Sequence, residues 1–210
     1  MKDKKSLIRE YIEAILIALL LALFIRAYII QAFKIPSGSM IPTLLVGDHI
    51  LVNKFIYGTN VPFSDKHFLV LKRPEKGDII VFKYPEDPKK DFIKRVIATE
   101  GDLLESKDKV IYVNGKTVME PYTYHSDRNI RPRGNDVRDN FGPLVVPPNK
   151  IFAMGDNRDQ SYDIKYWGFV DAMDLRGEAL IIYWSWDPKH WLRFNRIWRL
   201  VKWRRQFYGF

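Results

Sequence analysis

A long apolar run near the amino terminus limits what the rest of the chain can become. Residues 14–25 read AILIALLLALFI, and the run extends to Phe33 if Arg26 and Gln31 are tolerated within it. About 20 apolar residues in a helix are enough to cross the hydrocarbon core of a bilayer. The sequence therefore predicts a single transmembrane anchor over residues 11–33, preceded by a short segment, residues 1–10.

The charges in front of the run predict its orientation, because basic residues beside a membrane span stay on the cytoplasmic side. They are Lys2, Lys4, Lys5 and Arg9. A cleaved secretory signal peptide is the alternative, since it also combines a basic start with about a dozen apolar residues. Cleavage after Ala27 or Ala32 would leave isoleucine at the −3 position, where a small residue is required. Either alternative exports the remainder of the chain.

Composition removes several classes of site. The 210 residues include no cysteine, which excludes thiol nucleophiles, thiolate metal sites and disulfides. The four histidines are scattered without a partner at metal-ligand spacing, which disfavours a metallopeptidase. The serine–lysine chemistry considered below requires no metal and no organic cofactor. The net charge of +9 suits either nucleic acid or an anionic membrane surface.

The exported part is predicted to be all-β with long loops, over residues 34–190, so the fold class is mainly β. Short apolar stretches alternate with Gly, Pro, Asn and Asp and show no helical period. The expected strands are His49–Ile56, Asp78–Tyr84, Phe92–Ala98, Leu103–Val113 with a turn at Asn114–Gly115, Ile151–Met154 and Glu178–Trp184. The charged stretch Glu120–Asn149 indicates that about residues 103–150 make an excursion away from the core.

The last residues, 191–210, form a basic aromatic tail. At helical spacing an apolar stripe of Phe194, Ile197, Trp198 and Val201 lies beside Arg196, Arg199 and Lys202. This pattern predicts a helix, which lies either on an anionic membrane surface or on the domain itself; the residues leave both alternatives open.

A turn directly after the apolar run carries the first candidate for chemistry. Residues 35–40 read IPSGSM, and a glycine between two serines allows a tight turn that exposes a hydroxyl. A serine becomes a nucleophile only when a neighbouring base takes its proton, and acyl transfer also needs donors for the oxyanion. Ser39 is the candidate nucleophile, with its own N–H and the Ser37 hydroxyl as donors. An ordinary turn is the alternative.

The stretch FIKRVIA at 92–98 carries the second candidate. Strand alternation puts Lys94 on the same face as Phe92, Val96 and Ala98, and apolar surroundings disfavour the ammonium form. Lys94 is therefore a candidate general base. The alternative is a lysine whose stem lies along the sheet while its amine reaches water.

The third candidate is the polar loop GDNRDQSYD at 155–163. Asp156 is expected to pair with a cation such as Arg95, and the Ser161 hydroxyl to orient the Lys94 amine. A solvated turn is the alternative.

Together these blocks resemble bacterial type I signal peptidase, a family of serine endopeptidases with a Ser/Lys dyad. The matching stretches are PSGSMIPTLLVGDHILVNKFIYG at 36–58, KGDIIVFKYP at 76–85, FIKRVIATEGD at 92–102 and GDNRDQSYDIKYWGFV at 155–170. The resemblance implies removal of signal peptides from secreted precursors after an Ala-X-Ala type site, at the outer face of the cell membrane. Precursors and membrane lipids are then the partners, without nucleic acid.

The resemblance also implies a role for individual residues. Ser39 is the nucleophile, Lys94 the general base, Ser37 with the Ser39 amide the oxyanion hole, and Ser161 orients Lys94. The implied substrate-binding residues are Ile35, Pro36, Met40, Leu44, Phe92 and Ile93. The implied structural residues are Arg95, Asp156, Arg158 and Asp163. Lys165 stands where relatives often carry arginine, which puts only a salt bridge in doubt.

Two rivals come from other classes. A self-cleaving repressor-like Ser/Lys protease is disfavoured because the chain begins with an export segment and has no helix-turn-helix pattern. A membrane-tethered basic β protein that binds nucleic acid or anionic polymer is disfavoured because it leaves the three motif blocks without a reason.

Overall fold

The computed structural model describes residues 4–60, 67–68, 70–134, 136–161, 168–189 and 191–201. Within them the chain forms one helix, α1, at Lys4–Tyr28. The strands are β1 Ile30–Lys34, β2 Asp48–Asn53, β3 Thr59–Asn60, β4 His67–Phe68, β5 Ile79–Tyr84, β6 Asp87–Thr99, β7 Leu103–Lys107, β8 Val110–Val113, β9 Lys116–Thr117, β10 Phe141–Val145, β11 Lys150–Met154, β12 Val170–Asp171, β13 Leu175–Asp187, β14 Trp191–Leu192 and β15 Arg199–Leu200. Short 3₁₀ turns are η1 Gly38–Met40, η2 Arg158–Gln160, η3 Ala172–Asp174 and η4 Phe194–Arg196. The predicted mainly β fold is confirmed.

The amino-terminal helix differs from the predicted anchor at both ends. It begins at Lys4, within the segment expected to precede it, and ends at Tyr28. The last part of the predicted span is wrong as a helix, because Ile30–Lys34 pair antiparallel with β2. Large apolar side chains are exposed along α1, among them Ile8, Tyr11, Ile12, Ile15, Leu16, Ile17, Leu19, Leu20, Leu21, Leu23 and Phe24. No helix in the described part of the chain combines the length and apolar character needed to cross a membrane.

A nine-stranded sheet organises the rest of the domain. Its strand order is β1-β2-β13-β5-β6-β11-β12, and β14 and β15 pair with β13 off this path. All six predicted strand regions are occupied by strands, but Leu103–Val113 is divided into β7 and β8. Asp108 and Lys109 cause the division, because their φ values of 48° and 71° make a turn between the two strands.

The excursion builds a sheet of its own, in the order β10-β7-β8-β9. The expectation that it leaves the core is corrected. Its apolar side chains, which include Leu104, Ile111 and Phe141, belong to one buried cluster with Val96 and Phe152 of the main sheet. The charges that predicted an excursion are instead paired with each other, as shown by Arg138 and Asp139, which are both buried.

A second buried cluster lies under the turn that follows β1. It contains Ile35, Met40 and Leu44 of that segment together with residues of β2, β5 and β13. Complete burial of a Met or Leu side chain is worth about 1.5–3 kcal/mol. Met40 and Leu44 are 0% exposed, so they anchor the turn on both sides of residues 41–43.

The predicted tail helix is wrong. Residues 191–201 instead form β14, η4 and β15 beside β13. Trp191 and Trp198 have φ values of 55° and 64°, a left-handed conformation that interrupts a helix. Phe194 and Trp198 are exposed whereas Val201 is buried, so the expected stripe does not share a face. Lys202 and the rest of the tail lie outside the described residues.

Buried Asp48 fastens this tail to the beginning of β2. Its carboxylate accepts hydrogen bonds from Arg196 Nη2 at 2.6 Å and from the Ser185 hydroxyl at 2.7 Å. Arg193 Nη2 lies 3.3 Å from the same group. Arg196 Nη2 also donates to the Thr43 carbonyl at 2.9 Å, which ties the tail to the segment after Ser39.

Candidate active site

The turn that carries Ser39 is held from behind by the loop that begins at Gly155. Asn157 donates its backbone N–H to the Ser39 carbonyl at 3.0 Å and its side-chain amide to the Gly38 carbonyl at 3.2 Å. Ser37 is extended and exposed, and its hydroxyl makes no capping hydrogen bond to η1. The half-buried Ser39 therefore sits on a turn whose carbonyls are engaged.

Lys94 lies in β6, opposite Ile80 of β5. It is 3% exposed, and its Nζ donates to the Ser161 hydroxyl oxygen at 2.7 Å. The Nζ atom is also 5.8 Å from the centroid of the Phe92 ring. A lysine amine can exchange a proton with a neighbouring group when its surroundings are apolar and a hydroxyl lies within hydrogen-bond distance.

Gly155 brings the Ser39 turn and the Lys94–Ser161 pair together. A Cβ atom at residue 155 would lie 2.3 Å from Ser161 Oγ and 2.4 Å from the Ser39 carbonyl oxygen. Both atoms thus crowd the same point, and only a residue without a side chain fits there. The candidate nucleophile, base and orienting hydroxyl are therefore neighbours, although they are far apart in the sequence.

A buried ion pair supports the same corner of the site. Arg95, which is 0% exposed, donates from Nε to Asp156 Oδ1 at 2.8 Å and from Nη2 to Oδ2 at 2.7 Å. Thr43 donates its hydroxyl to Asp156 Oδ2 at 2.5 Å. This bidentate pair joins the residue next to Lys94 to the loop that contains Ser161, and it is the kind of contact expected for Asp156.

Sequence analysis missed Thr43 as a member of this group. Its hydroxyl also lies within 3.3 Å of Arg95 Nη2, so it bridges the Ser39 segment, β6 and the loop. The only signal available was its position inside the stretch 36–58, which is too coarse to single it out.

Arg158 lies behind the loop, where it is 4% exposed. It pairs with Glu120 through both guanidinium nitrogens, and its Nε donates to the Gly155 carbonyl at 3.3 Å. Burial acts to lower the pKa of Arg158, but the Glu120 carboxylate outweighs it and the pKa is raised. Asp163 and Lys165 lie outside the described residues, so their contacts stay predictions.

The predicted substrate-binding residues lie on the Ser39 turn and on β6. Pro36 is exposed, and Phe92 and Ile93 are half-buried. Ile35, Met40 and Leu44 belong to the second core cluster. Met40 and Leu44 are completely buried, so they support the turn from below. Their role in binding stays a prediction.

Metal-assisted chemistry has no ligand set in the part of the chain that the structure describes. No group of three or more His, Asp or Glu side chains is arranged there to hold a metal ion. The arrangement that is present offers a hydroxyl on a tight turn, a buried amine and a second hydroxyl bonded to that amine. Groups of these types are what a serine acyl-transfer site with a lysine base requires.

Comparison with known proteins identifies the family. The family model described as "Signal peptidase, peptidase S26" matches residues 8–184. Signal peptidase I of Pseudomonas fluorescens is 36% identical over 93% of this chain and 80% of its own length, and signal peptidase I of Aquifex aeolicus is 36% identical over 84% of each. A crystal structure of a signal peptidase I from Enterococcus faecalis is 32% identical and covers 51% of this chain and 97% of its own, with a TM-score of 0.42. The chain belongs to the signal peptidase family, peptidase S26.

Proposed function

We propose that this protein is a membrane-bound serine endopeptidase that removes amino-terminal signal peptides from secreted precursors. It cuts after an Ala-X-Ala type site, with Ser39 as nucleophile and Lys94 as general base. The observation that carries the proposal is the 2.7 Å hydrogen bond between Lys94 Nζ and Ser161 Oγ in a buried position next to the Ser39 turn.

Acylation begins when Ser39 Oγ attacks the scissile carbonyl carbon. Neutral Lys94 accepts the hydroxyl proton and then passes it to the leaving amine as the peptide bond breaks. The products of this step are the mature protein and an ester between Ser39 and the signal peptide. In deacylation Lys94 takes a proton from water, which attacks the ester, and returns it to Ser39 Oγ.

The developing oxyanion needs hydrogen-bond donors that are fixed before the reaction. The Ser39 N–H and the Ser37 hydroxyl are the proposed donors. The Ser37 hydroxyl is not spent on capping η1, so it can turn toward substrate. The Ser161 hydroxyl accepts a hydrogen bond from the Lys94 amine. This bond fixes the direction of the nitrogen lone pair when the amine is neutral.

Membrane attachment is proposed for α1, whose apolar side chains face outward around the helix. An apolar surface of this extent is stable only when apolar material covers it, and lipid is the covering that also brings the enzyme to its substrates. Sedimentation of the full chain with membranes, compared with a chain that begins at residue 29, tests this. The predicted single-pass orientation, with the amino terminus in the cytoplasm and the catalytic domain on the outer face, stays a prediction.

Cleavage of a purified precursor that ends its signal in Ala-X-Ala tests the proposed chemistry. Wild type should cut once, after the second alanine, and Ser39→Ala and Lys94→Ala should each lose at least about 10³-fold in kcat. Ser106→Ala and Lys76→Ala are matched controls. The Ser106 hydroxyl bonds the Asp139 carbonyl and Lys76 pairs with Asp102, so both should keep wild-type kcat.

The pH profile gives a second readout. Lys94 must be neutral to act as base, so kcat/KM should rise with pH as the amine loses its proton, and then level off. Equal cleavage by Ser39→Ala and wild type, or a rate that does not change across that limb, would overturn the assignment.

A further inference from the structure

A segment outside the four matching stretches lies against the candidate active site. Residues 120–124, which connect β9 to the rest of the excursion, run behind the loop that begins at Gly155. Tyr124 accepts a hydrogen bond from the Arg158 N–H at 3.0 Å and donates its own N–H to the Asp156 carbonyl at 2.8 Å. These two bonds form a parallel bridge between Tyr124 and Asn157. The excursion thus forms an isolated β-bridge with the loop that begins at Gly155.

Glu120 connects this segment to the crowded point at Gly155. Its side chain is 8% exposed and pairs with both terminal nitrogens of Arg158, with Nη1 to Oε2 at 2.8 Å. Arg158 Nε in turn donates to the Gly155 carbonyl. Gly155 is the residue whose Cα faces both Ser161 Oγ and the Ser39 carbonyl. The Glu120 carboxylate therefore holds the Arg158 guanidinium, and this guanidinium holds the Gly155 backbone, on which the Lys94–Ser161 contact depends.

Tyr122 makes the same connection on the β6 side. It is 3% exposed, and its ring lies 3.9 Å from the Arg95 guanidinium carbon. Its hydroxyl donates to Glu120 Oε1 at 3.1 Å. A ring over a guanidinium adds a cation–π contact to the Arg95–Asp156 pair. Glu120 and Tyr122 are therefore bonded to each other, and they contact Arg158 and Arg95 respectively.

We propose that Glu120 is a positioning residue for the catalytic base, which it serves through Arg158 and Gly155. This rests on the proposed Ser39 and Lys94 chemistry. Without the carboxylate, the buried Arg158 guanidinium loses its ion pair with Glu120 and shifts from its position. Its hydrogen bond to the Gly155 carbonyl is then weakened, and Ser161 shifts relative to Lys94. A displacement of about 1 Å at a catalytic group can cost about 10²-fold in rate.

The charge change also alters the field around the site. The groups that act on the Arg158 guanidinium are Glu120, Tyr122 and Asp156. Removing Glu120 leaves more positive charge in a buried region, and positive charge disfavours the ammonium form of a nearby lysine. The rising limb of kcat/KM should therefore move to lower pH while the plateau falls. A purely structural defect lowers the plateau without moving the limb.

The experiment compares wild type, Glu120→Gln and Glu120→Ala of the full chain with the Ala-X-Ala precursor. Glu120→Ala should lose about 10–100-fold in kcat with KM changed less than about threefold. Glu120→Gln keeps an acceptor oxygen for Arg158, so it should retain several-fold more kcat than the alanine variant. Both should show the shifted pH limb.

Asp102→Asn is the matched control for loss of a buried carboxylate. Asp102 pairs with Lys76 at 3.1 Å and accepts from the Thr99 N–H at 2.8 Å, away from the catalytic loop. It should lower the unfolding midpoint and leave kcat and the pH limb of the folded enzyme unchanged. If Glu120→Ala behaves like this control, the positioning role is refuted.

Ser39→Ala is measured in parallel, so that failure of the proposed function can be distinguished from failure of the role of Glu120. Full activity of Ser39→Ala refutes the proposed function itself. An inactive Ser39→Ala together with wild-type kcat in Glu120→Ala refutes only the role of Glu120.

Discussion

Replacing Gly155 by alanine should impair catalysis without removing any of the proposed reacting groups. The backbone of Gly155 is not in the left-handed region, so alanine can adopt its conformation without strain. The added methyl group would stand 2.3 Å from Ser161 Oγ and 2.4 Å from the Ser39 carbonyl oxygen, whereas Cβ contacts under 3.0 Å are essentially never seen. The whole effect of the substitution therefore comes from these contacts.

The magnitude follows from which neighbour can yield. Each contact must lengthen by about 1.0 Å or more to reach ordinary van der Waals contact, which begins at 3.4 Å, and a shift of about 1 Å in a catalytic group can cost about 10²-fold in rate. Rotation of the Ser161 side chain would break its 2.7 Å bond to Lys94 and would leave Ser161 Cβ 2.7 Å from the added methyl group. The Ser39 carbonyl is backbone and is already bonded to Asn157. We expect kcat to fall about 100-fold and the free energy of unfolding to fall by about 1–3 kcal/mol, the usual cost of overpacking.

Steady-state cleavage of the precursor, together with urea unfolding, measures both quantities. Gly101→Ala provides the contrast, because residue 101 has φ +82° and no atom within 4 Å of an added Cβ. It should lose about 1–2 kcal/mol of stability through backbone strain and keep wild-type kcat. If Gly155→Ala cuts at the wild-type rate while folded, Gly155 does not separate Ser161 from the Ser39 turn in the working enzyme, and the site geometry derived above is wrong.

Further predictions concern stability. Arg196→Met should lower the free energy of unfolding by about 3 kcal/mol in urea titrations, because it leaves the buried Asp48 carboxylate with a weaker set of partners; an unchanged midpoint would contradict this. Acid should also destabilise the fold. Burial acts to raise the pKa of Asp139, but its bonds to Arg138 and the Arg131 N–H outweigh this and lower the pKa from its ordinary value. The hydrogen bond from Arg138 also lowers the pKa of Asp127 to about 2. Carboxyls with lowered pKa stabilise the fold above their unfolded pKa, so the free energy of unfolding should fall from about pH 4 to pH 2, and less steeply in Asp139→Asn; an equal slope in the variant would count against the ion pair.

The β strands could be predicted because their side chains face two environments at period two. In β2, for example, burial alternates from residue to residue, and Ile50 and Val52 are completely buried on the core face. The end of the predicted anchor could not be placed in the same way. A short apolar run is compatible with either a helix or a strand. Ile30–Lys34 form a strand because they pair with β2, and the local sequence pattern carries no information about that partner.

The tail shows the converse error. The spacing of Phe194, Ile197 and Trp198 suits a helix. In the structure, however, Arg193 and Arg196 bond the buried Asp48 carboxylate. Two charge-assisted contacts to a buried acid outweigh the weak preference of an amphipathic pattern. Partners that are remote in sequence decide the conformation, and periodicity carries no information about them.

The same limit explains which site residues could be found and which could not. Ser39, Lys94 and Ser161 stand in blocks whose residue types suit a nucleophile, a base and a polar loop, and the family resemblance implies these roles. The contacts that hold these blocks together are different in kind. They run through the backbone of Asn157 and Tyr124 and through the missing side chain of Gly155. Nearly every residue type can form backbone hydrogen bonds. A segment such as 120–124 can therefore support the loop that begins at Gly155 without carrying a recognisable sequence motif. Residue types in the sequence therefore indicate the kind of chemistry. The geometry of the site depends on main-chain contacts, which are seen only in the folded structure.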